Sequence, residues 1–142
     1  MPYQYLEDEA IADIAFKAWG ENLDDLFKEA AKAVYSLLTN IDDLTTDLTY
    51  TVNIEADTSE KLLYKFLDEI IYFKDAELFF PKNVELSISE EDGLYKLTGE
   101  FFGCEFDFQK HQMGNDIKAI TYHDFYLKQL DDKWECYVLV DI

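Results

Sequence analysis

Residues 47–71, DLTYTVNIEADTSEKLLYKFLDEII, decide the fold class. In the first half Leu48, Tyr50, Val52, Ile54 and Ala56 alternate with polar neighbours, so 47–56 reads as a half-buried strand. At Asp57-Thr58 the period changes. Either residue is a competent N-cap, and beyond them the apolar residues pair as Leu62/Leu63, Phe66/Leu67 and Ile70/Ile71. That spacing is the broad stripe of a buried helix.

Working outward, Tyr3–Leu6 and Ile11–Ala18 read as strands. In the second, Ile14, Phe16 and Ala18 share one face and Asp13, Ala15 and Lys17 the other, before Gly20 breaks the pattern. Asn22 is a good N-cap, and Asp24 and Asp25 sit beside the positive end of the helix dipole. Leu23, Leu26, Phe27, Ala30, Val34, Leu37 and Leu38 follow at helical spacing, so the helix should end near Leu38, at Thr39-Asn40. On the other side Phe79-Phe80-Pro81 reads as an apolar connection, and thereafter the chain is all strand. Val84, Leu86 and Ile88 alternate, Glu91-Asp92-Gly93 marks a hairpin turn, and Tyr95, Leu97, Gly99 and Phe101 return. Gln109 to Asn115 is loop, and Lys118–Leu130 and Trp134–Ile142 are long strands joined at Asp131-Asp132-Lys133. The expected class is α+β: one domain over 1–142, with mixed or mainly antiparallel sheet and two main helices packed on it.

Composition bounds the partners. The 142 residues are 49% hydrophobic, ample for one core, yet carry a net charge of −19 from 31 acidic and 12 basic side chains. Every basic residue is Lys. Nucleic acid is bound chiefly by neutralising its phosphates, so this surface should repel RNA and reach it only through a protein with a basic face. Without Arg the chain has no bidentate phosphate clamp. Cys104 and Cys136 match neither a zinc spacing nor C-x-x-C, and read as buried inert thiols in the strand-like segments Phe101–Phe108 and Trp134–Val140. The Met-Pro-Tyr start shows no signal peptide and no apolar run reaches the ~18 residues of a membrane span, so a cytoplasmic protein is expected, and its charge favours a monomer.

Carboxylates are the one plentiful chemical resource, and they suit hard cations. Asp13 interrupts the apolar run 10–18, and Asp141 lies between Val140 and Ile142. Both are solvated strand-end residues, as isolated aspartates mostly are, or two anionic groups of an oxygen-ligand site completed by the α-carboxylate of Ile142. Period two puts Lys118, Ile120, Tyr122 and Asp124 on one strand face, with Ala119, Thr121 and His123 opposite. Lys118, Tyr122 and Asp124 then line a polar pocket or form a solvated cross-strand ladder, and a lone His123 is more often packed than catalytic. Asp68, beside Glu69 in the second helix, belongs to the boundary of the apolar stripe or to a pocket.

These positions together resemble the archease family. The resemblance is carried by Ala12-Asp13, Ala18-Trp19-Gly20, the helix start Asn22-Leu23-Asp24-Asp25-Leu26-Phe27 and the helix stretch Leu62 to Glu69. It continues in Lys110-His111, the run Ile117-Lys118-Ala119-Ile120-Thr121-Tyr122-His123 and the terminal Val140-Asp141-Ile142. It implies a non-catalytic cofactor of the RtcB-type tRNA-splicing ligase, which promotes guanylylation of the ligase, permits multiple turnover and can broaden the nucleotide accepted. It also implies a metal site at Asp13, Asp141 and Ile142, with Lys118, Tyr122, His123 and Asp68 as surroundings, and it turns the two-way reading of the two aspartates toward a metal. Ca2+ is the expected ion, with Mg2+ or Mn2+ as cellular alternatives. One departure stands out: many members have His three residues before the early Asp, where this chain has Ala10. Two other functions fit the same residues, a phosphoesterase using Asp13, Asp141 and Asp68, and a chaperone-like acidic adaptor.

Overall fold

The computed structural model describes residues 2–6 and 13–142. Ala10, Ile11 and Ala12, and with them the start of the second expected strand, lie outside the described residues. In chain order the elements are β1 (Tyr3–Leu6), β2 (Asp13–Gly20), α1 (Leu23–Leu38), β3 (Leu48–Ala56), α2 (Ser59–Glu77), β4 (Phe79–Glu91), β5 (Leu94–Glu105), β6 (Ala119–Gln129) and β7 (Trp134–Asp141). A short 3₁₀ turn, Ile41–Asp43, precedes β3.

The strands form two antiparallel sheets, β1-β2-β7-β6 and β3-β5-β4, so the expected α+β class holds. The helices join them. α1 packs on β2 of one sheet and β4 of the other, and α2 packs on β6 and β3. Phe66 is the hub, 5.6 Å from Phe27 of α1 and stacked 5.4 Å from Phe101 of β5. All three rings are fully buried, as are the stripe residues Leu62, Leu63, Leu67 and Ile70. At about 1.5–3 kcal/mol per buried large side chain, this shared interior is what holds two otherwise separate sheets together.

Local chemistry sets the ends. Asn22 caps α1 by accepting from the Asp25 N–H at 2.8 Å, and of the two candidates for α2 Thr58 is the cap, accepting from Lys61 N–H at 3.1 Å. At the β4–β5 turn Asp92 (φ 53°) and Gly93 (φ 78°) are both left-handed, as a two-residue type I′ hairpin needs. Gly20 is the last residue of β2 rather than a break after it; a Cβ there would overlap the backbone of Leu26, so glycine lets the strand end lie against the first turn of α1.

Three expectations are corrected. Phe79-Phe80-Pro81 is not a connection but the buried start of β4. Leu78 closes α2 in the left-handed conformation (φ 51°), which turns the chain straight into the strand. Pro81 is tolerated because β4 is an outer strand and the register shifts between Pro81 and Asn83. The strand through Cys104 stops at Glu105, where the Phe106 N–H turns to the Leu78 carbonyl at 2.8 Å. Finally, β6 does not alternate through its length. Pairing with β7 jumps from Thr121↔Leu139 to Tyr126↔Tyr137, so the period-two faces hold only as far as the bulge.

Candidate functional site

The sheet β1-β2-β7-β6 brings the sequence-predicted carboxylates together. Asp13 and Asp141 are direct partners across β2 and β7, and Ala119 of β6 pairs Asp141 from the other side. Directly opposed residues of an antiparallel pair share a face, about 4.5–5.5 Å apart at Cβ. Two aspartates 128 positions apart in number thus become neighbours through strand register alone. The backbone carbonyl of Asp141 accepts from the Lys118 N–H at 2.8 Å, which fixes the end of the strand that carries its carboxylate. Ile142 follows at once, its side chain half-buried against the core.

Like charges set directly opposite destabilise a strand pair. Two carboxylates are also hard oxygen donors of the kind Ca2+ and Mg2+ take, so the pair fits a divalent ion in donor chemistry. It is not a complete set. Among the described residues no three His, Cys, Asp or Glu side chains gather as metal ligands, so Asp68 does not join Asp13 and Asp141. Asp68 instead lines a shallow depression of about 220 Å³ on α2 with Glu69 and Tyr72. Burial, then the charge of Asp68, raises the Glu69 carboxyl above its ordinary range.

The remaining candidates part company at the β6 bulge. Lys118 is exposed just before the strand, and Ile120 is buried in the core. Tyr122 stacks on Tyr64 of α2 at 4.1 Å, and His123 Nε2 meets the Asp124 carboxylate at 3.3 Å on the exposed bulge. Tyr64 and Phe125, which complete this aromatic group, are not among the candidate site residues the sequence points to. Their signal was weak: each is one aromatic among 23.

Elsewhere the same sheet is stiffened by Glu135. It accepts from Trp19 Nε1 at 2.8 Å and from the Tyr126 hydroxyl at 2.7 Å, joining β2, β7 and β6 through one carboxylate. Burial pushes that carboxyl up, but these bonds and Lys17 and Lys128 outweigh it and hold it below the ordinary range. Both cysteines are free and buried, and burial pushes the Cys136 thiol up to about 12, so it stays protonated and unreactive as expected.

Residues 3–142 match the model of the Archease protein family (MTH1598/TM1083). The chain belongs to the archease family. The archease of Archaeoglobus fulgidus is 34% identical over the whole of both chains, and that of Pyrococcus furiosus 32% identical over 98% of this chain and 99% of its own. The zebrafish (Danio rerio) archease is 31% identical over 99% of this chain and 85% of its own. In three dimensions this archease is similar to the solution structure of Methanobacterium thermoautotrophicum protein 1598, with TM-score 0.87, 27% identity and 99% of each chain covered. An archease from Thermotoga maritima described as a possible chaperone shares the fold at TM-score 0.60 and 20% identity, covering 96% of each chain. No helix among the described residues is long and apolar enough to cross a membrane.

Proposed function

We propose that this archease is a metal-binding activator of an RtcB-type RNA ligase, which promotes guanylylation of the ligase, permits repeated turnover and broadens the nucleotide it accepts. The observation that carries the reading is the direct pairing of Asp13 with Asp141 at one end of β2 and β7. Asp13, Asp141 and Ile142 would hold the ion, Ca2+ by preference and Mg2+ or Mn2+ in the cell. A divalent ion so held supplies positive charge against developing charge on a phosphate. The chain's own part is to present that end on a rigid sheet and to be drawn, at net charge −19, to a cationic cleft. The ligase keeps the nucleophile and the nucleotide, in accord with a chain that lacks Arg. RNA is reached only through the ligase.

The test is ligation turnover with a cognate ligase at limiting concentration. The expected result is single turnover without the protein, multiple turnover with it, and loss of that gain on Asp141→Ala. Full stimulation by Asp141→Ala sinks the metal end, and no stimulation by the parent chain sinks the activator role. The phosphoesterase alternative loses support because Asp68 does not reach the other two aspartates. The adaptor reading draws on the exposed aromatic group at the β6 bulge.

A further inference from the structure

Residues 122–125 stand out of β6. All four oppose only Val138, because the pairing skips from Thr121↔Leu139 to Tyr126↔Tyr137. Asp124 takes φ 54°, a left-handed conformation that short polar side chains tolerate. β6 is an outer strand of its sheet, so among the described residues no further strand covers the bulge. Bulges re-aim side chains, and this one lays Tyr122 on α2, its ring 4.1 Å from that of Tyr64 and inclined by 15°. Phe125 meets both rings edge-on, at 6.0 and 5.5 Å. Yet Tyr122 stays 54% exposed. One face is held by Tyr64 and the other is left to solvent, so the ring is ordered without being buried.

The charges around it are mostly negative. Lys61 and Glu60 from the first turn of α2, and Asp57 just before its cap, act on the Tyr122 hydroxyl, and Asp68 acts on that of Tyr64. Lys61 is already paired with Asp57 at 3.2 Å. His123 and Asp124 follow Tyr122 in the bulge and pair with each other at 3.3 Å.

An open aromatic face takes a nucleobase or a cation. Charge decides between them here. A base arrives with a phosphate, into a group of carboxylates on a chain of net charge −19. A guanidinium arrives with the opposite sign, lies flat on the ring and donates to carboxylates at its edge. We infer that Tyr122, backed by Tyr64, is the docking point for an arginine-bearing segment of a protein partner, with Glu60 among the acceptors of its N–H groups. Ala119, three residues before Tyr122, pairs Asp141, so the docked segment lies on the strand that leads to the paired aspartates. The inference rests on the activator reading only for which protein carries the arginine.

The test needs no ligase. The full chain, with chelator present, is titrated with a short Gly-Arg repeat peptide, with the same peptide carrying neutral citrulline for arginine, and with oligouridylate. Tyrosine ring resonances are followed by NMR. The arginine peptide should bind and shift the Tyr122 and Tyr64 rings, while the other two probes bind far more weakly. Tyr122→Ala removes no charge and should weaken the peptide about three- to tenfold; Tyr122→Phe should keep its binding. Glu91→Gln with Asp92→Asn removes two charges in the other sheet and should change binding less than about twofold. Equal binding of the peptide to Tyr122→Ala and the parent overturns the inference, as does tighter binding of oligouridylate. In ligation turnover, Tyr122→Ala should raise the concentration needed for half-maximal stimulation and spare the plateau. A lowered plateau with unchanged half-maximal concentration overturns the docking role. An inert parent chain in that assay removes the activator reading and leaves the peptide result to decide the inference by itself.

Discussion

Replacing Asp141 by Asn should stabilise this protein without metal and destabilise it, relative to the parent, with metal. Asp141 faces Asp13 directly across β2–β7, both half-buried. Relief of such a like-charge pair is worth about 0.2–1 kcal/mol. Unfolding entropy of about 2.1 cal/mol/K per residue over 142 residues is about 300 cal/mol/K, so 1 kcal/mol moves Tm by about 3 °C. In chelator the variant should melt about 1–3 °C above the parent. With Ca2+ at about a hundred times Kd the parent gains about 2.7 kcal/mol, or about 9 °C. If the substitution weakens binding about a hundredfold, the variant gains only about 0.4 kcal/mol, or about 1 °C. The order of the two proteins therefore inverts on adding calcium. Differential scanning calorimetry in chelator and in calcium reads both halves. An equal calcium shift in both proteins refutes the ligand role; a variant that melts lower in chelator refutes the like-charge argument drawn from the register.

Lys74 is 7% exposed and donates to the buried Ile117 carbonyl at 2.9 Å and to Asp116 at 3.0 Å, so Lys74→Met should cost about 1–3 kcal/mol, mostly for the orphaned carbonyl, read by urea titration. Burial alone would pull the Lys74 ammonium's titration down, but Asp75 and Asp116 raise it above the ordinary lysine range, so its contribution is complete below the unfolded value of about 10.4 and fades as pH climbs through the folded one. The gap between parent and variant should then stay level from about pH 6 to 9 and narrow only in stronger alkali. Glu135→Ala leaves the Trp19 N–H and Tyr126 hydroxyl without their shared acceptor and should cost about 1–3 kcal/mol at pH 7. Because the Glu135 carboxyl is held low, that cost should be full above about pH 4.3 and shrink as acid protonates it; a pH-independent difference would mean packing, not charge, is at stake. Glu69 titrates high through burial and Asp68, so it favours folding most when protonated, and Glu69→Gln should raise stability at pH 7 by no more than about 0.5 kcal/mol, with the gain vanishing in acid melts.

Much of the site was legible in the residues. Asp13 and Asp141 stand out as carboxylates in apolar strand runs, but residue type alone favours two solvated strand ends, and it is the family resemblance that turns the pair toward a metal. What no spacing could reveal was their pairing, since register between β2 and β7 depends on every residue of both strands finding its partner. The reading failed most plainly at β6. A strict period of two put Lys118, Tyr122 and Asp124 on one face, whereas the bulge places Asp124 beside His123 and carries Phe125 onto the face Tyr122 shares with Tyr64. A bulge costs a few residues of ladder and is repaid by contacts with another element, here α2, so nothing local to the strand announces it.

The sequence by itself determined most of the element types, their order and the acidic surface, because periodicity, caps and charge are properties of neighbours along the chain. Only the tertiary structure decided that the strands divide into two sheets, that α1 and α2 each bridge both, that Asp13 meets Asp141 and not Asp68, and that Tyr122 stands open on Tyr64. Those are relations between distant segments, set by which apolar faces bury one another, and burial has direction and register only once the whole chain has packed.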